Sequence, residues 1–220
     1  MIKKILRIIL FCLPVGFSSC FPIIVSAYQN LQGVDVLQGG LQEKPLAVCL
    51  KILQKQCRIT IPSMQNADCL IKAFASDKNC EQSQAIFQKT QGVIQRWRNF
   101  NNITVAYLNV IAADHSDDYD MITKQGQLIG LFSAPLITAY PAAASSPDNT
   151  DLDIWPMALG DPKAVPLPNG NNQIIFKQLL TKTCLACSPR GSVTMAYLFD
   201  PEGHYLKWQV MGFKLEQAGK

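Results

Sequence analysis

Beyond residue 27 the chain carries six cysteines, Cys49, Cys57, Cys69, Cys80, Cys184 and Cys187, behind a segment built like an export signal. This pairing constrains the fold more than any other feature. Thiols placed outside a reducing cytosol are expected to pair and so to tie together the segments that carry them. The first 27 residues place Lys3, Lys4 and Arg7 ahead of a long apolar stretch, which ends in Val25-Ser26-Ala27 before Tyr28. A basic start, an apolar middle and small residues at the last and third-last positions are what export and signal cleavage need. Cleavage after Ala27 is the expected fate. Two others stay open: lipidation at Cys20, within Phe17-Ser18-Ser19-Cys20, and retention as a membrane anchor. The stretch from Ile8 to Ala27 is about 20 residues, roughly the spanning length. The expected location is therefore exported, periplasmic or secreted, with a lipid-anchored or membrane-anchored form as the variant. Membrane association is expected only through the N-terminal segment, if it is uncleaved or lipidated at Cys20.

The residues after position 27 suit one domain, or a small domain joined to a larger one. With 48% hydrophobic residues the chain can bury a substantial core, so the cysteines supplement that core. Of 20 basic residues, three lie in the export segment, which leaves 17 against 16 acidic ones. So even a balance gives no electrostatic case for nucleic acid, whose phosphates are bound by clustered Lys and Arg.

Along the chain, residues 28–43 are rich in Gln and Gly and read as a flexible leader. From Lys44 the apolar residues Leu46, Val48, Cys49, Ile52, Leu53 and Cys57 recur at three- and four-residue steps, the mark of a helix with one buried stripe. Ile61-Pro62-Ser63 breaks it. A short second helix is capped by Asn66 or Asp68 and reaches Phe74, and Ser76 to Asn79 turns the chain. A third helix is predicted from Glu81 to Arg98, with Ile86, Val93, Ile94 and Trp97 as its apolar positions. Arg96 and Arg98 would then complement the negative end of its dipole, and contact with anionic lipid is the alternative use of this basic pair.

The second half reads differently. Ile103 to Ala113 is β-branched and apolar, a strand, and residues 119–132 fold back with a bend near Lys124-Gln125-Gly126. Residues 133–172 hold seven prolines and read as a long irregular connection, and such a loop in a compact domain is either functional or mobile. Strand signal resumes from Gln173 to Leu180. A hairpin closes the chain: Ser192 to Phe199, the turn Asp200-Pro201-Glu202-Gly203, then His204 to Leu215. Proline at the second position and glycine at the fourth suit a type I turn. The expected fold class is α+β, with a disulfide-clipped helical domain over 44–100 followed by an antiparallel sheet domain over 101–220.

Six cysteines allow fifteen connectivities. If the first two helices run antiparallel about Ile61-Pro62, Cys57 and Cys69 flank the break on facing helices, and Cys49 lies opposite Cys80. The expected pairs are therefore Cys57–Cys69 and Cys49–Cys80. Zinc is the rival use of four cysteines, but such sites prefer a close C-x2–4-C pair, which these four lack. No metal or cofactor is expected.

Cys184-Leu185-Ala186-Cys187 is the one chemically suggestive motif. Two cysteines so spaced can cycle between dithiol and disulfide when the first is activated at a helix N-terminus. Here Ser188 to Gly191 leads into a strand instead, and the motif lies near the C-terminus. A structural staple at the start of the last hairpin is the preferred reading, and a redox pair the alternative. The histidines, His115 and His204, both fall in turns. A straight strand would separate Cys187 from His204 by roughly 40 Å at about 3.3 Å per residue, too far for a catalytic pair.

Asp114, Asp117, Asp118 and Asp120 crowd one turn, and Asp148, Asp151 and Asp153 the long loop. Calcium takes six to eight oxygens, but neither set matches the D-x-D-x-D-G pattern, and Asp is a routine turn residue. The chain contains no GxSxG, HExxH, Walker or GxGxxG pattern, and Gly191-Ser192 lacks the strand–turn–helix setting of a serine nucleophile. Asn102-Ile103-Thr104 is an acceptor sequon, relevant only in a eukaryotic secretory pathway. The last strand carries Tyr205, Trp208 and Phe213 with Leu206, Val210 and Met211 between them. Apolar residues on both faces suggest a central strand covered on both sides, or a strand with one face given to a partner. The expected function is a non-enzymatic binding or assembly protein of the bacterial envelope or secretome with a protein partner. The alternative is a thiol–disulfide oxidoreductase using Cys184 and Cys187.

Overall fold

A computed structural model describes residues 34–35, 37, 39–57, 67–110, 117–182 and 189–216. Residues 1–33, with the segment read as an export signal, His115 and the Cys184–Cys187 motif lie outside these residues. The fold is α+β, with helices first and antiparallel sheets after them.

Three helices form the first layer: α1 (Glu43–Cys57), α2 (Ala67–Ser76) and α3 (Glu81–Thr90), the last preceded by a short 3-10 turn at Lys78–Cys80. Glu43 in the first turn and Lys55 in the last complement the dipole of α1. Its buried stripe is Leu46, Cys49, Leu53 and Cys57, the three- and four-residue steps read from the sequence. Disulfides Cys49–Cys80 and Cys57–Cys69 form the nested pairs expected from the sequence, and the break expected at Ile61-Pro62 lies outside the described residues. With Leu70, Ala73, Phe74, Phe87 and Val93 they make one apolar cluster between the helices.

The second layer is a five-stranded sheet in the order β1-β5-β4-β3-β2. Its strands are β1 (Val34–Asp35), β2 (Gly92–Phe100), β3 (Ile103–Val110), β4 (Asp117–Thr123) and β5 (Gln127–Gly130). Strand alternation sorts its two faces. Ile94, Ala106, Leu108, Ile122 and Leu128 meet Leu46 and Ile86 of the helices, while Ile103, Val105, Tyr119, Met121 and Ile129 face the third layer.

That layer is a second sheet, in the order β11-β10-β9-β7-β6, with β8 also paired to β9. Its strands are β6 (Ala134–Pro135), β7 (Leu152–Ala158), β8 (Lys163–Pro166), β9 (Asn172–Lys182), β10 (Gly191–Phe199) and β11 (Tyr205–Leu215). Ile174, Phe176, Leu180, Val193, Met195, Tyr197 and Phe199 complete the core between the sheets.

Four expectations are corrected. The third helix stops at Thr90 and does not run to Arg98. Gln91 caps it in the left-handed region, the Thr90 hydroxyl accepts from the Gly92 backbone, and β-branched Val93 and Ile94 open β2. Because β2 pairs with β3 along its length, the sheet starts at Gly92 rather than at 101. The leader is not wholly loose: Val34–Asp35 pair with β5 and Leu37 is buried. Leu37 approaches the β4–β5 turn so closely that a Cβ on Gly126 would lie 1.5 Å from its carbonyl oxygen. The stretch 133–172 is not irregular throughout. It supplies β6, β7, β8 and the short helix α4 (Leu136–Ala139), and Leu136, Ala143, Leu152 and Ile154 are core residues.

The fourth correction concerns β11, which is an edge strand and not a central one. Its pairing with β10 shifts register between Thr194 and Met195 and again between Leu198 and Phe199, leaving Met211 and Leu206 as the extra residues. Each bulge reverses the alternation once. Tyr205, Trp208, Val210 and Phe213 therefore all pack against the core, though they alternate between odd and even positions.

Candidate functional site

The β11 edge presents two distinct rows of side chains. Tyr205, Trp208, Val210 and Phe213 lean on the core but stay only partly buried, and among the described residues no further strand pairs with β11. Trp208 stacks on Phe132 with ring centroids 4.0 Å apart, and Phe213 meets Tyr140 at 6.0 Å. On the opposite face Lys207, Gln209, Gly212 and Lys214 stand across from Leu198, Ala196, Thr194 and Ser192. The bulged residues Leu206 and Met211 are 50% and 54% exposed.

The turn before this strand is pinned from two sides. Gly203 donates to the Asp200 carbonyl, and the Asp200 carboxylate accepts from the His204 backbone and lies 2.7 Å from His204 Nδ1. Asn102 donates to the Pro201 carbonyl and Gln125 to that of Glu202. A Cβ on Gly203 would fall 2.8 Å from the Asn102 carbonyl oxygen, so glycine is required there, at φ +90°. Partial burial pushes the Asp200 carboxyl up, but hydrogen bonds from His204 outweigh it and hold the group below its usual range. Asp200, Glu202 and His204 bring ligand atoms within 4.8 Å of one another. The group is solvent-exposed, and its Asp–His contact is already accounted for by the turn.

A second polar cluster was not legible in the sequence. Arg96 Nη2 donates to Tyr119 Oη at 2.9 Å and to Asp161 Oδ1 at 2.8 Å, and Tyr119 donates to the same carboxylate oxygen at 2.7 Å. The Arg96 guanidinium lies 4.5 Å from the Tyr107 ring centroid. Burial, then the hydrogen bond to Asp161, pushes the Tyr119 phenol up to about 12. Hydrogen bonds from Arg96 and then Tyr119 hold Asp161 below its ordinary value. The cluster fastens the 133–172 stretch to the first sheet. Arg96 therefore serves a strand and not a helix end, while Trp97 packs under the helices and Arg98 lies over Phe100.

The acidic sets separate in space. Asp151 pairs with Lys182 at 2.5 Å, and Asp148 is exposed. Asp118 and Asp120 are both buried on the helix-facing side of β4, opposite Leu108 and Ala106. Asp120 is 1% exposed, and neither of its oxygens has a hydrogen-bond partner among the described residues. Burial pushes its carboxyl up to about 7. Among the described residues, neither acidic set gathers three metal-ligating groups.

The CLAC motif falls in the connection between β9 and β10, whose flanks are tied by the Arg190 backbone donating to Leu180. The connection leads into strand β10, as the sequence suggested, and Ser192 is buried within that strand. The described end of this connection and His204 lie at opposite ends of β10. The helical layer also holds a cleft of about 330 Å³ lined by Ile71, Phe74, Gln84, Phe87, Gln88 and Gln91. Two disulfides in that layer fit an oxidising, extracytoplasmic setting. No helix among the described residues is long and apolar enough to cross a membrane. Compared with known proteins, the chain matches no family model, no curated protein and no solved structure.

Proposed function

We propose that this protein is an exported, disulfide-stabilised binding or assembly component of the bacterial envelope or secretome, acting on a protein partner without turnover. The observation that carries the reading is the β11 edge, where Leu206, Met211 and Leu215 are exposed beside a half-buried aromatic row. Met and aromatic residues are enriched in the cores of protein interfaces. The disulfides support the exported setting, since they stabilise chains that leave the cytosol.

The test is photo-crosslinking in the producing cell, with the reactive side chain placed at Met211 and, as control, at exposed Lys89 of α3. A discrete adduct from Met211 that is absent from Lys89 is expected. Equal, diffuse labelling at both positions overturns the reading. A mixed disulfide trapped by Cys187→Ala, with substrate thiols oxidised in turn by the parent protein, would instead assign it to the thiol–disulfide oxidoreductases.

A further inference from the structure

We infer that β11 is a pairing edge for an extended segment of another protein that alternates acidic with apolar residues. The inference rests on the binding function proposed above and names the partner's chemistry.

The strand is long, spanning Tyr205–Leu215, and among the described residues only β10 lies beside it in the sheet. Such an edge offers a row of backbone donors and acceptors to any extended chain. Edges that must only be kept from pairing are usually made short, charged, bulged or proline-bearing. This one has two lysines and two bulges, but it is eleven residues long and carries three exposed apolar side chains, Leu206, Met211 and Leu215.

The two faces of β11 set the pattern of the added strand. Toward the core, Tyr205, Trp208, Val210 and Phe213 are only half-covered, so a next strand would bury apolar residues against them. On the other face Lys207 and Lys214 stand in the outer row, and Lys177 of β9 shares the row of Thr194 and Gly212. None of β9, β10 and β11 contains an acidic residue. A partner side chain in that outer row therefore meets the positive charge of Lys207 or Lys214, which favours Glu or Asp. Side chains of a strand alternate between faces, so the partner reads apolar, acidic, apolar, acidic.

Gly212 adjoins the Met211 bulge, where a strand glycine is common, and it leaves the outer row open between Gln209 and Lys214, since a Cβ there would touch nothing within 4 Å. A second copy of this chain is the poorer occupant, since its β11 would bring Lys207 and Lys214 onto the same edge as their own counterparts.

The probe is the capped peptide Glu-Val-Glu-Val-Glu-Val-Glu, compared with Lys-Val-Lys-Val-Lys-Val-Lys and with a Glu-Val peptide N-methylated at alternate residues. Binding is read by fluorescence anisotropy and by amide hydrogen exchange over 205–215. The Glu-Val peptide is expected to slow exchange in β11 and to bind at least about tenfold more tightly than either control. The double variant Lys207→Glu/Lys214→Glu is expected to reverse the preference between the Glu and Lys peptides with an unchanged thermal midpoint. Should that variant fail to fold, Lys207→Gln/Lys214→Gln, which removes the charges without reversing them, is expected to abolish the preference for the Glu peptide over the Lys peptide. Equal binding of all three peptides, or none, overturns the inference. So does a dimer in sedimentation that buries β11, or binding to phosphatidylglycerol vesicles in place of the acidic peptide. If Met211 crosslinks a partner in the cell while the Glu-Val peptide leaves β11 unprotected, strand pairing falls and the binding function stands. If both fail, both fall.

Discussion

Tyr197 donates its phenolic hydrogen to Gln178 Oε1 at 2.9 Å, in a core where both side chains are completely buried. The same tyrosine oxygen accepts from the Phe132 backbone, and Gln178 Nε2 donates to the carbonyls of Phe132 and Trp155. One glutamine on β9 thus satisfies backbone groups of the segment before β6 and of β7 where its register with β9 is interrupted. Gln178→Leu is expected to destabilise the protein by about 2–4 kcal/mol, because it leaves several buried groups unpaired at about 1–3 kcal/mol each, partly relieved by relaxation. Tyr197→Phe removes fewer partners and is expected to cost less. Urea unfolding of the two variants measures the order, and the reverse order would mean that the phenol, not the amide, holds the network.

Asp120 makes stability depend on pH in an unusual direction. Its carboxyl is raised by burial from 3.8 to about 7, so the native state holds the proton more tightly than the unfolded chain. The slope of stability with pH follows protons bound unfolded minus native, here negative between those values. The contribution is complete below 3.8 and is lost as pH rises through about 7. Asp120→Asn is expected to match the parent near pH 4 and to exceed it at about pH 8 by a margin on the order of a few kcal/mol. Thermal midpoints of parent and variant across that range decide it. A variant less stable at both ends would show that the ionised carboxylate has a stabilising partner.

The two disulfides close loops of different length, with sequence separations of 31 for Cys49–Cys80 and 12 for Cys57–Cys69. Restriction of the unfolded chain grows with the logarithm of loop length, giving about 3.7 and about 2.8 kcal/mol respectively. Paired serine substitutions are expected to follow that order in guanidinium unfolding. The deeper burial of Cys49 and Cys80 adds to the difference in the same direction.

Tyr119 is expected to remain un-ionised well past the ordinary tyrosine value of 10.0, with its phenol raised to about 12. Burial is the largest cause of the shift, and the hydrogen bond to Asp161 adds to it. Asp161→Asn is therefore expected to lower the Tyr119 titration midpoint without restoring it to 10.0. The difference in phenolate absorbance between the parent and Tyr119→Phe isolates this residue. An unchanged midpoint in Asp161→Asn would assign the whole shift to burial.

Much of the fold was legible because its signals are local. The stripe Leu46, Cys49, Leu53, Cys57 repeats with the helical period, and Asp200-Pro201-Glu202-Gly203 carries the residues its turn requires. The misread span was Thr90 to Arg98. There Ile86, Val93, Ile94 and Trp97 fit helical spacing by coincidence, and the left-handed Gln91 before Gly92 was the overlooked stop. The Arg96–Tyr119–Asp161 cluster was invisible because its members are 23 to 65 residues apart in sequence. Only the crossing of β2, β4 and the stretch after β7 brings them together.

The β11 edge shows most sharply where sequence stops. By itself the sequence determined an α+β order, a cysteine-tied helical region and a closing hairpin, since each comes from residue period, turn chemistry and the reach of neighbouring segments. Whether the last strand is covered or open was decided by tertiary structure alone. Two bulges place Tyr205, Trp208, Val210 and Phe213 on one face despite their mixed spacing, and sheet order leaves that strand with a single neighbour among the described residues. A bulge breaks the two-residue period on which a sequence reading depends. Strand order is set by the packing of the whole core, to which no local pattern gives access.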